Sequence, residues 1–273
     1  MSIWQHSSGL AQIKSGETLN DFFAEAALGN VSDTVTVNKF GRNTEIDSGV
    51  TADIWDGGNT GDVSLVWVAP TQARTHTIAS DSASDTDGGA GARRLRVFGL
   101  TSWDTAEISE EIIMNTGSPP VTVNSYVIIH RMKVLTKGAT SVNVGTITAT
   151  ATGDATITAQ ISPGQGQTQM AIYGVPSIQT ALIGRFYGNV NKSGGAAGLI
   201  DVNLQVNPEP QDELLNFLVK HTFGLQTVGT SALTINYYVP KVFPGPIIIK
   251  VQALSGTDNM DLSAGFDGII VDN

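Results

Sequence analysis

The chain of 273 residues contains no cysteine. Disulfide staples, thiolate metal sites and a cysteine nucleophile are excluded together. Charge is also scarce: charged residues make up 15% of the chain, against about a quarter in an average globular domain. What charge there is leans acidic, with 15 Lys and Arg against 25 Asp and Glu and a formal net charge of -10. Such a surface repels phosphate backbones, and the densest basic group is only Arg93, Arg94 and Arg96, so no nucleic-acid partner is expected. Long apolar runs are missing as well. Segments such as Ile247-Ile248-Ile249 fall far short of the ~20 residues that span a bilayer, and no membrane partner is expected. The opening Met1-Ser2-Ile3-Trp4-Gln5-His6 has neither a basic start nor an apolar stretch, unlike a signal peptide.

What fills the chain is β-sheet material. Thr and Val are abundant, and β-branched side chains fit a pleated surface better than a helix. Thirty glycines punctuate the sequence at the density that many short strands and tight turns require. From Val31, Val35 and Val37 onward the apolar period is two. Turn signals such as Asp56-Gly57-Gly58-Asn59, Asp87-Gly88-Gly89 and Asn115-Thr116-Gly117 separate some fourteen to sixteen strands. The strongest runs from Tyr126 to Leu135, with Tyr126, Ile128, His130 and Met132 on one face. Crossover helices are missing between strands, so the sheets should be antiparallel. The expected fold class is all-β: antiparallel β-sandwich or jelly-roll-like domains with a short N-terminal helix and arm.

The helix is expected over 18–28, where Thr18 precedes Leu19, Phe22, Phe23 and Ala26 on one face and Gly29 follows. It could cover its own domain or reach a neighbouring subunit. The low-complexity stretch Ala149–Thr156 reads as a hairpin or as a join between halves. Three parts follow: an arm over 1–40, a first sandwich over 41–152 and a second over 153–273.

Chemistry-bearing patterns are weak. His6, His76, His130 and His221 have no partner at metal-binding spacing, and buried histidines with ordinary hydrogen bonds are the expectation. Asp81, Asp85, Asp87 and Gly88 invite comparison with a calcium loop. An EF-hand frame, however, would put Ala83 and Arg94 at its first and twelfth positions, so a surface loop is expected. Trp55-Asp56-Gly57-Gly58 could present a glycan-stacking tryptophan, with Trp103 as a second candidate, or could be a core tryptophan before a turn. Glu107, Glu110 and Glu111 look like a solvated strand face. No nucleophile elbow or phosphate loop is present, and neither an enzyme nor a bound cofactor or metal is expected.

One resemblance joins these pieces. Gly41-Arg42-Asn43-Thr44-Glu45-Ile46-Asp47 followed by Asp53-Ile54-Trp55-Asp56-Gly57-Gly58 resembles tailed-bacteriophage virion structural proteins. Ser80–Asp85, Gly89–Arg93, Gly145-Thr146-Ile147 and the ending Ala264–Asp272 continue the likeness, which begins near residue 40. The resemblance implies a component of a phage particle. The leading expectation is a capsid decoration or cement protein: a homotrimer on the particle surface, partnered by the major capsid protein or other virion proteins. Leu19, Phe22 and Phe23 would be its contact segment. The alternative is a tail, baseplate or head-fibre protein that binds host glycan through Trp55 and Trp103.

Overall fold

The computed structural model describes residues 19–58, 66–192, 197–212 and 216–273. Among these residues one α-helix, α1 (Leu19–Ala27), precedes fifteen strands: β1 (Thr34–Ile46), β2 (Thr51–Asp53), β3 (His76–Ser80), β4 (Ala92–Leu100), β5 (Ile108–Ile113), β6 (Ile128–Lys137), β7 (Ile147–Ala151), β8 (Ile157–Ile161), β9 (Ile172–Val175), β10 (Gln179–Lys192), β11 (Leu199–Asn207), β12 (Leu218–Gln226), β13 (Ala232–Pro244), β14 (Ile247–Ser255) and β15 (Met260–Asp272). Every pairing between these strands is antiparallel, as the missing crossover helices require. The chain is therefore all-β, with one short N-terminal helix.

Among the described residues, four sheets build two main cores. The order β1-β15-β10-β13 forms one sheet, and β12-β11-β14-β2, with β9 beside β14, forms the second. Between them lie Val37, Phe186, Phe266, Val202, Leu204, Phe223 and Val251. The smaller sheets β5-β4-β6 and β3-β7-β8 share another core around Trp67, Leu95, Val97, Tyr126, Met132, Ile147 and Ile161. Strand β14 serves both: Ile247 and Ile249 face the first core, while Ile248 faces the second with Ile172 of β9. That explains the unbroken isoleucine run, since a strand buried on both faces loses the apolar/polar alternation.

The connectivity divides the chain otherwise than at 152. Residues Thr34–Ile46 pair along β15, so β1, at the head of the chain, closes onto its last strand. Strands β7 and β8 pair with each other across Ala149–Thr156, which makes that stretch a hairpin and not a join. One layered unit is thus formed from residues 34–53 and 172–272, and the other from 76–161. Close approach fixes the crossing of β1: a Cβ on Gly41 would lie 2.0 Å from the Ile54 carbonyl oxygen and 2.7 Å from the Ala171 amide nitrogen. Only glycine fits there.

Helix α1 ends as its sequence suggests. Gly29 adopts φ +76°, its amide reaches the Ala26 carbonyl at 3.1 Å, and the Asn30 amide reaches Glu25 at 2.9 Å. This double closure satisfies the last carbonyls of the helix. Thr18, its expected N-cap, lies outside the described residues.

Candidate binding groove

The expected site residues do not meet. Trp55 and Trp103 are 5% and 6% exposed and belong to the second core. Their rings cannot stack on an external sugar, which corrects the glycan expectation at those positions. Trp55 lies against Gly57, where a Cβ would come within 2.0 Å of the ring, so the glycine turn exists to seat the indole. Phe22 is buried with Ala26 against Ile269 and Val271 of β15, and Phe23 is half-buried beside them. The helix covers its own sheet, so Phe22 is not free to serve as an arm contact. The side chain of Leu19 lies outside the described residues.

The aspartate loop before β4 is a staple. The buried Asp85 carboxylate accepts from Ser80 Oγ (2.7 Å) and from the amides of Ala92 (2.7 Å), Val144 (2.9 Å) and Gly145 (2.8 Å). Asp81 accepts from the Thr146 amide at 2.8 Å. These carboxylates tie the loop to the 144–146 segment, and four protein donors already fill the acceptor sites of Asp85.

A concave surface lies where pairing register, and not sequence proximity, gathers side chains. On the outer face of the β1-β15-β10-β13 sheet, register aligns three rows across four strands. They are Asn38–Asp267–Arg185–Asn236, Phe40–Gly265–Tyr187–Thr234 and Arg42–Ser263–Asn189–Ala232. Side chains two apart on a strand share a face, so all three rows point outward while Val37, Phe186 and Phe266 point into the core. The rows form the floor of two adjoining concavities of about 990 and 600 Å³ that share Phe40. Phe23 of α1, Phe98 and Arg131 of the second unit, and Gln167 of the segment that follows it wall the larger one.

The charges on this floor are paired. Arg185 meets Asp267 at 3.3 Å, and its Nε donates to Asn236 Oδ1 at 3.2 Å. Asn38 donates to Asp267, and more loosely to Tyr187 Oη at 3.4 Å. Arg42 meets Asp261 at 3.0 Å. Gly265 is the one position of the middle row without a side chain. A Cβ there would sit 2.7 Å from Tyr187 Oη. The phenol therefore lies across β15 toward β1, instead of standing off the sheet.

At the wall of the larger concavity a polar cluster joins the two units, with Lys39 and His130 buried and Glu107 at its exposed rim. The Lys39 ammonium donates to the carbonyl of His130, whose Nε2 meets the Glu107 carboxylate. His130 also stacks on Tyr173 at 4.4 Å between ring centres. Burial foremost, with Arg131 nearby, brings the Lys39 ammonium down to about 7. Burial likewise holds His130 below the usual imidazole range, against the pull of Glu107. Burial alone would raise Glu107, but His130, Lys39 and Arg131 together hold it below its ordinary value. Glu107 is thus no member of a plain solvated face. Nor is Glu110, which accepts from Tyr126 Oη at 2.9 Å and from the Val123 amide at 2.9 Å.

Sequence inspection passed over Asn38, Phe40, Tyr187, Arg185 and Asp267. Their only local signal is shared parity along β1, β10 and β15. The register that unites them spans more than two hundred residues, as Asn38 opposite Asp267 shows. No protein-family model matches this sequence, and no curated protein matches it either.

Proposed function

We propose that this chain is a structural component of a tailed-phage particle, a decoration or cement protein that binds the outside of the assembled shell. What supports the reading, beside the sequence resemblance, is the free edge of β13. Among the described residues this strand pairs only with β10, and its register jumps between Asn236 opposite Arg185 and Lys241 opposite Ile183. Four residues, Tyr237–Pro240, therefore stand against Gly184 alone, and the bulge pushes two apolar side chains outward. Tyr238 is 94% exposed and Val239 75%, with Val242 exposed further along. Isolated surface apolar residues are ordinary, but a cluster on a bulged edge strand fits a contact with another protein. The partner is the major capsid protein or another virion protein, and the assembled form is a homotrimer on the particle surface. Stabilisation follows mass action: a protein that binds only the closed shell adds its binding free energy to that state. The test is to quantify this chain in purified particles, with the wild type and a Tyr238→Ser, Val239→Ser variant. Shell-stoichiometric copies, lost in the variant, are expected. A handful of copies per particle would overturn the cement role.

A further inference from the structure

We infer that the groove over the outer face of β1, β15, β10 and β13 is a binding site for a neutral oligosaccharide. This does not rest on the shell-binding role, which uses a different surface, so either can fail alone.

The middle row carries the case. Phe40 and Tyr187 occupy one cross-strand row with Gly265 between them, and the missing Cβ lets the Tyr187 ring lie over the sheet. Phe40 is exposed and Tyr187 half-buried, so both rings border open space. Their strands are two steps apart, about 10 Å, and the Tyr187 ring leans across that span toward β1, so the two rings make one continuous apolar platform. Apolar C–H faces of pyranoses stack on such rings, while their hydroxyls need both donors and acceptors. The flanking rows provide both kinds: Asn38, Arg185 and Asn236 on one side, Arg42, Ser263 and Asn189 on the other.

Charge decides among ligand classes. The guanidinium groups of Arg185 and Arg42 are matched, the first by Asp267 within the groove and the second by Asp261. A polyanion would compete with these carboxylates, and a basic peptide would meet the arginines. An apolar helix or strand would find polar rows on either side of the two rings of the floor. A neutral chain rich in hydroxyls loses nothing to the paired charges and uses both rows. The two concavities meet at Phe40, so the groove can follow a chain longer than one residue.

The experiment is saturation-transfer-difference NMR on the full chain with linear oligosaccharides of glucose, mannose, galactose and N-acetylglucosamine. Transfer to ring protons of at least one series is expected. Tyr187→Ala and Phe40→Ala should each weaken binding at least about tenfold, and Tyr187→Phe should retain it. Tyr238→Ala, on the edge strand, should leave it unchanged. If the alanine variants fail to fold, Thr234→Arg, at an exposed position beside Tyr187, should block the groove instead. No transfer from any of the four series would overturn the inference. So would transfer that survives Tyr187→Ala or Thr234→Arg, or binding confined to an acidic polysaccharide or a peptide.

Discussion

Removing one partner of the Asp53–Lys250 pair should destabilise the protein far more than removing both. The carboxylate and ammonium are 2.8 Å apart and essentially inaccessible to solvent. Asp53 Oδ2 also accepts from the Trp67 amide at 2.8 Å, and its Oδ1 from Gln252 Nε2 at 2.9 Å. The Lys250 ammonium lies 3.9 Å from the centre of the Phe217 ring. Lys250 shares a strand face with Ile248, so the pair sits where β14 meets the second core. In Lys250→Met the buried carboxylate keeps two donors but loses its counter-ion, and the cost is about 3–5 kcal/mol at neutral pH. Asp53→Asn strands the ammonium at a similar cost. The double variant keeps an amide oxygen for the Trp67 amide, leaves the Gln252 side chain to turn away from the new NH2, and buries no charge, so it should recover most of the loss. Since two losses of about 3–5 kcal/mol collapse to about 1 in the double variant, a coupling of at least about 5 kcal/mol is expected from the cycle. Urea unfolding followed by tryptophan fluorescence measures it, because Trp67 is itself bonded to Asp53. The sign with pH follows. Without Lys250, burial raises the folded-state value of Asp53 further above the unfolded one. Stability of Lys250→Met is then fullest below the unfolded value and falls as pH rises through the folded one. Single variants costing less than about 1 kcal/mol, or a double variant no better than either, would refute the reasoning.

His76 offers a second pH effect. Its ring is buried with no hydrogen-bond partner on either nitrogen among the described residues, and burial lowers its value to about 4. The unfolded chain then binds the proton first. Stability present above the ordinary value near 6.5 is lost as pH falls toward 4, by about 3 kcal/mol in all. The urea midpoint of His76→Leu should change less over that interval than the wild type's, and equal slopes would contradict the burial argument. At the other end of the chain, Phe22→Ala removes the main anchor of a nine-residue helix that is too short to persist alone. Hydrogen exchange over residues 22–27 should accelerate toward the unfolded rate while β10 and β15 stay protected. Unchanged protection of the helix would show that something other than Phe22 holds it.

The sequence by itself determined the layer chemistry. Period-two apolar residues, β-branched composition and glycine turns suffice for antiparallel sheets, because side-chain alternation is a local property of an extended chain. Gly29 and the apolar face ahead of it likewise marked α1, because helix capping is written within a few residues. What only the tertiary structure decided is register at long range. Alternation along β1 says that Asn38, Phe40 and Arg42 share a face, but not that Asp267, Gly265 and Ser263 lie opposite them. Pairing energies depend on which strands meet, and one slipped residue would turn every side chain to the other face. The same distinction explains the two tryptophans. An aromatic before a glycine turn reads alike whether it is exposed or buried, and only the packing of Trp55 over Gly57 and of Trp103 in the second core places both rings inside.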